Sequence, residues 1–167
     1  VIRQAHVGDL PVLQDIERAA GKPFAELGMH TVAEDEPPGI ELLKSFADDG
    51  RAWVWVDDAD HPVAYLIADL VDGNAHVEQV SVHPSHGRKG IGKALIEHAA
   101  SWGREQGVTA MTLTSYTHVA WNGPYYGRIG FRHLAEDEWT PGLRKIREEE
   151  AAHGLDEWPR SCMRREL

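Results

Sequence analysis

The chain carries one cysteine, Cys162, among its 167 residues. No intrachain disulfide can form from it, and a reducing compartment, the cytoplasm, is expected. Apolar runs are short, well under the roughly 18 residues of a membrane span, and nothing at the start of the chain has the order of a signal peptide. Positive charge is also scarce: 17 Lys and Arg face 27 Asp and Glu, a net charge of −10. That balance argues against nucleic acid as a partner, because such binding displaces counterions with clustered cations. No repeat, low-complexity tract or linker interrupts the chain. Its length suits a single domain, residues 1–167, with its own core. The 42% hydrophobic and 26% charged shares are globular values, which excludes extensive disorder.

The periodicities predict an opening strand at 2–5, then a helix over about 10–20 with Leu10, Leu13, Ile16 and Ala20 on its apolar stripe. Asp9 and Pro11 supply its N-cap and early proline. Residues 21–38 contain Gly21, Pro23, Gly28 and Pro37-Pro38 and read as a long irregular connection, of the kind that often serves function. A short helix at about 39–48 precedes three strands, 52–56, 62–68 and 75–82. The clearest helix covers about 90–106, with Ile91, Leu95, Ala99 and Trp102 at helical spacing. A strand at 108–115, a weak helix at 121–128, a strand around Gly130 to Leu134 and a charged helix from Pro141 follow. Residues 162–166 read as a last edge strand. The order predicts a mixed α/β layer structure.

One segment breaks the ordinary rules. After the strand ending at Val82 comes His83-Pro84-Ser85-His86, then Gly87-Arg88-Lys89-Gly90-Ile91-Gly92-Lys93 opens the helix. Glycines let the backbone approach an anion closely, and the open N–H groups of a helix start point at it. Arg88, Lys89 and Lys93 stand where cations oppose the helix dipole. An anionic ligand resolves that conflict. A dinucleotide fingerprint begun at Gly90 would need glycine at 95, where Leu95 stands. A P-loop matches from Gly87 to Lys93, then meets Ala94 in place of the hydroxyl residue that holds magnesium.

The run Val82-His83-Pro84 through Gly87, Gly90, Ile91, Gly92 and Leu95 resembles the acyl-CoA-binding motif of the GNAT superfamily of N-acetyltransferases, Gln/Arg-x-x-Gly-x-Gly/Ala. Gly87 departs from it, standing where Gln or Arg is usual. Asn122-Gly123-Pro124-Tyr125-Tyr126 through Gly130-Phe131 resembles the same family's aromatic-Tyr-x-x-x-Gly-Phe signature. The resemblance spans most of the chain and is sharp over 75–131. It implies a GNAT fold: a central, mostly antiparallel twisted sheet, splayed at the acyl-CoA site and flanked by helices. It implies acetyl-CoA as acyl donor, held by Gly87, Arg88, Lys89, Gly90, Ile91, Gly92 and Lys93 at the pyrophosphate. The backbone of Val80, Ser81 and Val82 would lie along the pantetheine arm, with Asn122 as a hydrogen bonder to that arm or the N-cap of its helix.

Direct attack by an amine on a thioester needs a base for the amine proton and an acid for the leaving thiolate. The resemblance places a base on the strand before the glycine loop, where Glu78 comes first and His76 second. These two share one strand face with Val80. It gives Tyr126 the proton for the thiolate, while Tyr125 is read as packing. His83 and His86 have metal-like spacing without an acidic or cysteine partner, so no metal is expected. No serine lies in a nucleophile elbow. The run Arg144 to Glu150 reads as a solvated helix face.

The sequence therefore predicts an acetyl-CoA-dependent N-acetyltransferase acting on a primary amine in a ternary complex, with a small-molecule acceptor. The other readings are a protein lysine or N-terminal acetyltransferase and a non-catalytic acyl-CoA sensor. The partners expected are acetyl-CoA and the amine, neither nucleic acid nor membrane; a homodimer is compatible. The acceptor is expected at the 21–38 loop, where Phe24, Leu27 and Met29 adjoin Glu34, Asp35 and Glu36.

Overall fold

The computed structural model describes residues 1–167. The first elements are β1 (Ile2–Gln4), α1 (Leu10–Ala25), α2 (His30–Ala33) and α3 (Ile40–Asp48). Next come β2 (Ala52–Val56), β3 (Pro62–Val71), β4 (Asn74–Val82) and α4 (Ile91–Glu105). The chain continues with β5 (Ala110–Tyr116), α5 (Gly123–Arg128), β6 (Arg132–His133), α6 (Pro141–Ala152) and β7 (Arg160–Glu166). The strands form a seven-stranded sheet in the order β1-β2-β3-β4-β5-β7-β6. Its β1–β2, β2–β3, β5–β7 and β6–β7 pairs are antiparallel, and β4–β5 is parallel. This is the mixed α/β, mostly antiparallel architecture expected. The parallel ladder joins Ala75 to Met111 and His76 to Thr112, and β4 runs on past it to Val82.

The contacts divide into two compact units, one made of residues 1–68 and 78–99, the other of 69–77 and 100–167. In the first unit Leu10, Leu13 and Ile16 of α1 and Leu43 and Phe46 of α3 pack on Ala52, Val54, Tyr65 and Ile67. Burying each large apolar side chain there contributes about 1.5–3 kcal/mol. Asp9 stands at the N-cap of α1, but its side chain does not cap. Its Oδ2 instead accepts from the His6 N–H at 2.7 Å and from Arg3 at 2.8 Å.

The segment 21–38 is more regular than expected. α1 continues through Gly21 and Pro23 to Ala25, and α2 follows at His30. A Cβ on Gly21 would lie 3.3 Å from the Ala33 carbonyl oxygen. Glycine there serves the close approach of α2 to α1, and tertiary packing outweighs its weak helix propensity.

In the second unit β7 is not an edge. It pairs with β5 from Ala110↔Glu166 to Tyr116↔Arg160, while β6 takes its other side. Cys162 and Met163 are accordingly buried. The charged helix α6 is capped by Thr140, whose side chain accepts from the Leu143 N–H at 3.4 Å. It is not simply a solvated face. Arg147 is buried and donates to Glu150 at 2.9 Å and Asp156 at 2.8 Å. Glu150 also accepts from Arg160 of β7 at 3.0 Å and from Thr114 of β5 at 2.6 Å. Partners far along the chain draw these charges inward.

Candidate functional site

In the first unit, β4 ends at Val82 and the chain is tied back by the His83 N–H, which donates to Val63 O at 2.9 Å. Ser85 Oγ lies 2.7 Å from His83 Nδ1 and 2.9 Å from His86 Nδ1. These histidines brace the turn into the glycine loop. The chain has no group of three or more His, Cys, Asp or Glu placed to hold a metal ion.

The loop then takes two left-handed residues, Arg88 at φ 62° and Gly90 at φ 75°. Nothing lies within 4 Å of a Cβ built on Gly90, so the backbone there faces open space. The hydrogen-bond ladder of α4 starts where the Ala94 N–H donates to Gly90 O at 3.0 Å. The N–H groups of Ile91, Gly92 and Lys93 lie ahead of that ladder and carry the positive end of the helix dipole. Arg88, Lys89 and Lys93 are exposed, and none of them is held in an ion pair. In a chain of net charge −10, cations outside any ion pair at a helix start suit an anionic ligand. A pyrophosphate fits the residues present.

On β4 the first four residues, Asn74 to Val77, are buried, and the strand then opens. Glu78 is exposed, Val80 and Val82 are half-buried, and Ser81 is buried. Ser81 Oγ donates to Glu17 Oε2 on α1 at 2.7 Å, and Tyr65 OH donates to the same oxygen at 2.6 Å. Gln79 Nε2 donates to Ser81 Oγ at 3.0 Å. Burial raises the Glu17 pKa above the ordinary carboxylate value, and the hydrogen bonds from Tyr65 and Ser81 oppose that rise. Burial also pushes the Tyr65 phenol well above its usual range. Sequence reasoning missed Glu17. The signal was present, because position 17 follows Leu13 by four and Leu10 by seven, on the apolar stripe of α1.

In the second unit, His76 is 2% exposed and its Nδ1 lies 2.8 Å from Thr112 Oγ1. Burial lowers its pKa to about 4, so the ring is neutral near pH 7. Tyr126 is 8% exposed, with its ring edge-on to Tyr125 at 5.5 Å and to Phe131 at 6.0 Å between centroids. The turn that carries it is tight: a Cβ on Gly123 would lie 2.8 Å from Thr117 O, which only glycine avoids. Asn122 occupies the N-cap position of α5, but its side chain does not cap the helix. Asn122 Oδ1 accepts instead from the Tyr116 N–H at 2.8 Å and fixes the end of β5.

A strand leading into a cationic glycine cradle, with a mixed sheet and a Tyr-x-x-x-Gly-Phe turn, defines a class, and direct comparison agrees. The chain belongs to the acetyltransferase (GNAT) family, whose model matches residues 13–131. The peptidyl-lysine N-acetyltransferase YjaB of Salmonella typhimurium is 30% identical over 98 residues, 59% of this chain and 61% of that protein. The chain thus spans less than two thirds of that curated relative. An acetyltransferase of the GNAT family from Staphylococcus aureus superposes with a TM-score of 0.76 at 13% identity, covering 100% of this chain and 98% of that one. The PaiA N-acetyltransferase from Thermoplasma acidophilum, solved with coenzyme A, gives a TM-score of 0.71 at 14% identity, covering 100% and 98%. At these identities the solved structures show the fold.

Proposed function

We propose that residues 1–167 act as one acetyltransferase domain in the cytoplasm, transferring an acetyl group from acetyl-CoA to a primary amine. The acceptor is a small molecule, and the amine attacks directly in a ternary complex. The observation that carries this reading is the glycine cradle at the start of α4, where Arg88, Lys89 and Lys93 are free of ion pairs. The same residues, with Gly87, Gly90, Ile91 and Gly92, hold the pyrophosphate, and the backbone of Val80, Ser81 and Val82 lies along the pantetheine arm. Acetyl-CoA supplies the activated acetyl thioester.

Glu78 takes the amine proton. It is exposed, and so open to substrate and water, whereas His76 is buried with a pKa near 4 and stands second. Tyr126 holds the proton for the departing sulfur. Asn122 already uses its Oδ1 on Tyr116, which leaves its amide N–H groups for the arm.

A second reading, acetylation of a protein lysine, is favoured by the Salmonella relative, a peptidyl-lysine N-acetyltransferase. Release of the CoA thiol on a panel of small amines and a lysine-containing peptide tests both. Release with small amines alone supports the first reading, with the peptide alone the second, and with neither overturns acetyl transfer to amines.

A further inference from the structure

Glu17, in the first unit, has a setting that conflicts with its charge. Its carboxylate sits on the apolar stripe of α1 and accepts hydrogen bonds only from the neutral hydroxyls of Tyr65 and Ser81. No lysine, arginine or histidine pairs with it, and the charge that acts on it is another anion, Asp35. Desolvating a carboxylate without a cation costs several kcal/mol. A glutamine would satisfy both hydroxyls without that cost. Both hydrogen bonds fall on Oε2, and Oε1 receives none from the chain.

The setting is therefore an anion held rigid through one oxygen, with the other left over and the local field negative. That is what a site for a positive group requires: fixed geometry, partial shielding from water and an uncompensated charge. Ser81 connects the carboxylate to β4, the strand to which the proposed acyl-donor contacts also belong.

We propose that Glu17 Oε1 binds the ammonium group of the acceptor, so that Glu17 selects alkylammonium acceptors over uncharged amines. The inference rests on the acetyl-transfer reading and narrows its substrate class. A small alkylamine and a lysine side chain present the same ammonium. Glu17 is a substrate-binding residue here; the proton that the ammonium loses before attack goes to Glu78.

The test compares wild type with Glu17→Gln, using saturating acetyl-CoA and three acceptors: phenethylamine, a lysine-containing peptide, and aniline, which arrives uncharged near neutral pH. Glu17→Gln should raise KM for the cationic acceptor by roughly 10- to 100-fold, the worth of a charged hydrogen bond. KM for acetyl-CoA and for aniline should stay within about twofold, and Tm should hold or rise because a half-buried charge with no cation is gone. Unchanged KM for the cationic acceptors in a folded variant overturns the proposal, as does an equal rise for aniline. Should Glu17→Gln fail to fold, Glu17→Asp keeps the charge but withdraws the oxygen by one methylene. It should raise KM for the cationic acceptors alone, and an equal effect on aniline overturns the proposal. Turnover of phenethylamine without the peptide, or the reverse, assigns the source of the ammonium. If wild type acetylates no amine, the acetyl-transfer reading falls. Calorimetry of phenethylamine alone then decides Glu17: binding in wild type that Glu17→Gln abolishes supports the role, and equal or absent binding overturns it.

Discussion

His76 and Thr112 face each other across the parallel ladder of β4 and β5, with Nδ1 and Oγ1 2.8 Å apart. Burial holds the imidazole pKa at about 4, against 6.5 for the free side chain. Between those values the unfolded chain binds a proton that the folded chain refuses, so stability rises with pH there. The contribution is full above pH 6.5 and falls as the pH drops towards 4, by about 3 kcal/mol at 1.4 kcal/mol per unit. Urea unfolding from pH 4 to 7 should show this slope in wild type and a flatter one in His76→Gln.

The same burial separates the two base candidates. Glu78→Gln should depress turnover across the pH range, and His76→Gln should keep most of it. The reverse order in a rate profile would make the histidine the base.

Gly90→Asp should abolish acetyl-CoA binding. Position 90 is left-handed at φ 75°, which a side chain tolerates poorly, and the new carboxylate would compete for the N–H groups proposed to take the phosphate. Calorimetry decides it, with Tm as the control for folding: unchanged affinity in a folded variant removes the loop from the site.

Tyr126→Phe keeps the ring contacts with Tyr125 and Phe131 and removes the phenolic hydroxyl. If the tyrosine protonates the leaving sulfur, kcat should fall on the order of 10²-fold with acetyl-CoA affinity nearly unchanged. Full activity would leave it a packing residue.

Glu150→Ala should cost about 3–5 kcal/mol, because it strips the shared carboxylate from the guanidiniums of Arg147 and Arg160 in a low-dielectric layer. Arg147 retains Asp156, but Arg160 loses its carboxylate partner. Equilibrium unfolding measures the loss, and a value under about 1 kcal/mol would mean the cluster is as weak as an exposed pair.

Much of this was readable in the sequence. The stripe Ile91, Leu95 and Ala99 located α4, and the glycine and Tyr-x-x-x-Gly-Phe patterns led to the family, because these signals are local. The misreadings share a different cause. Gly21 and Pro23 looked like breakers, yet α2 packs on α1 so closely that glycine is the residue that fits. Arg147 and Glu150 looked solvated, yet Thr114 and Arg160, 36 and 10 residues away from Glu150, draw them inward. Glu17 was passed over because one acid on an amphipathic helix reads as ordinary until Tyr65 and Ser81 are seen to hold it. Each depends on a neighbour that periodicity cannot supply.

The place of β7 between β5 and β6 has a consequence for how the chain is made. Residues 110–116 and 132–133 leave the ribosome before 160–166, so for a time β5 is a buried-type strand with one side unpaired. The second unit cannot close its sheet until that late segment emerges and slides in between two strands already synthesised. A stall or cut before Arg160 would therefore release a nascent protein with an open, sticky β5 flank, a ready target for chaperones and for aggregation.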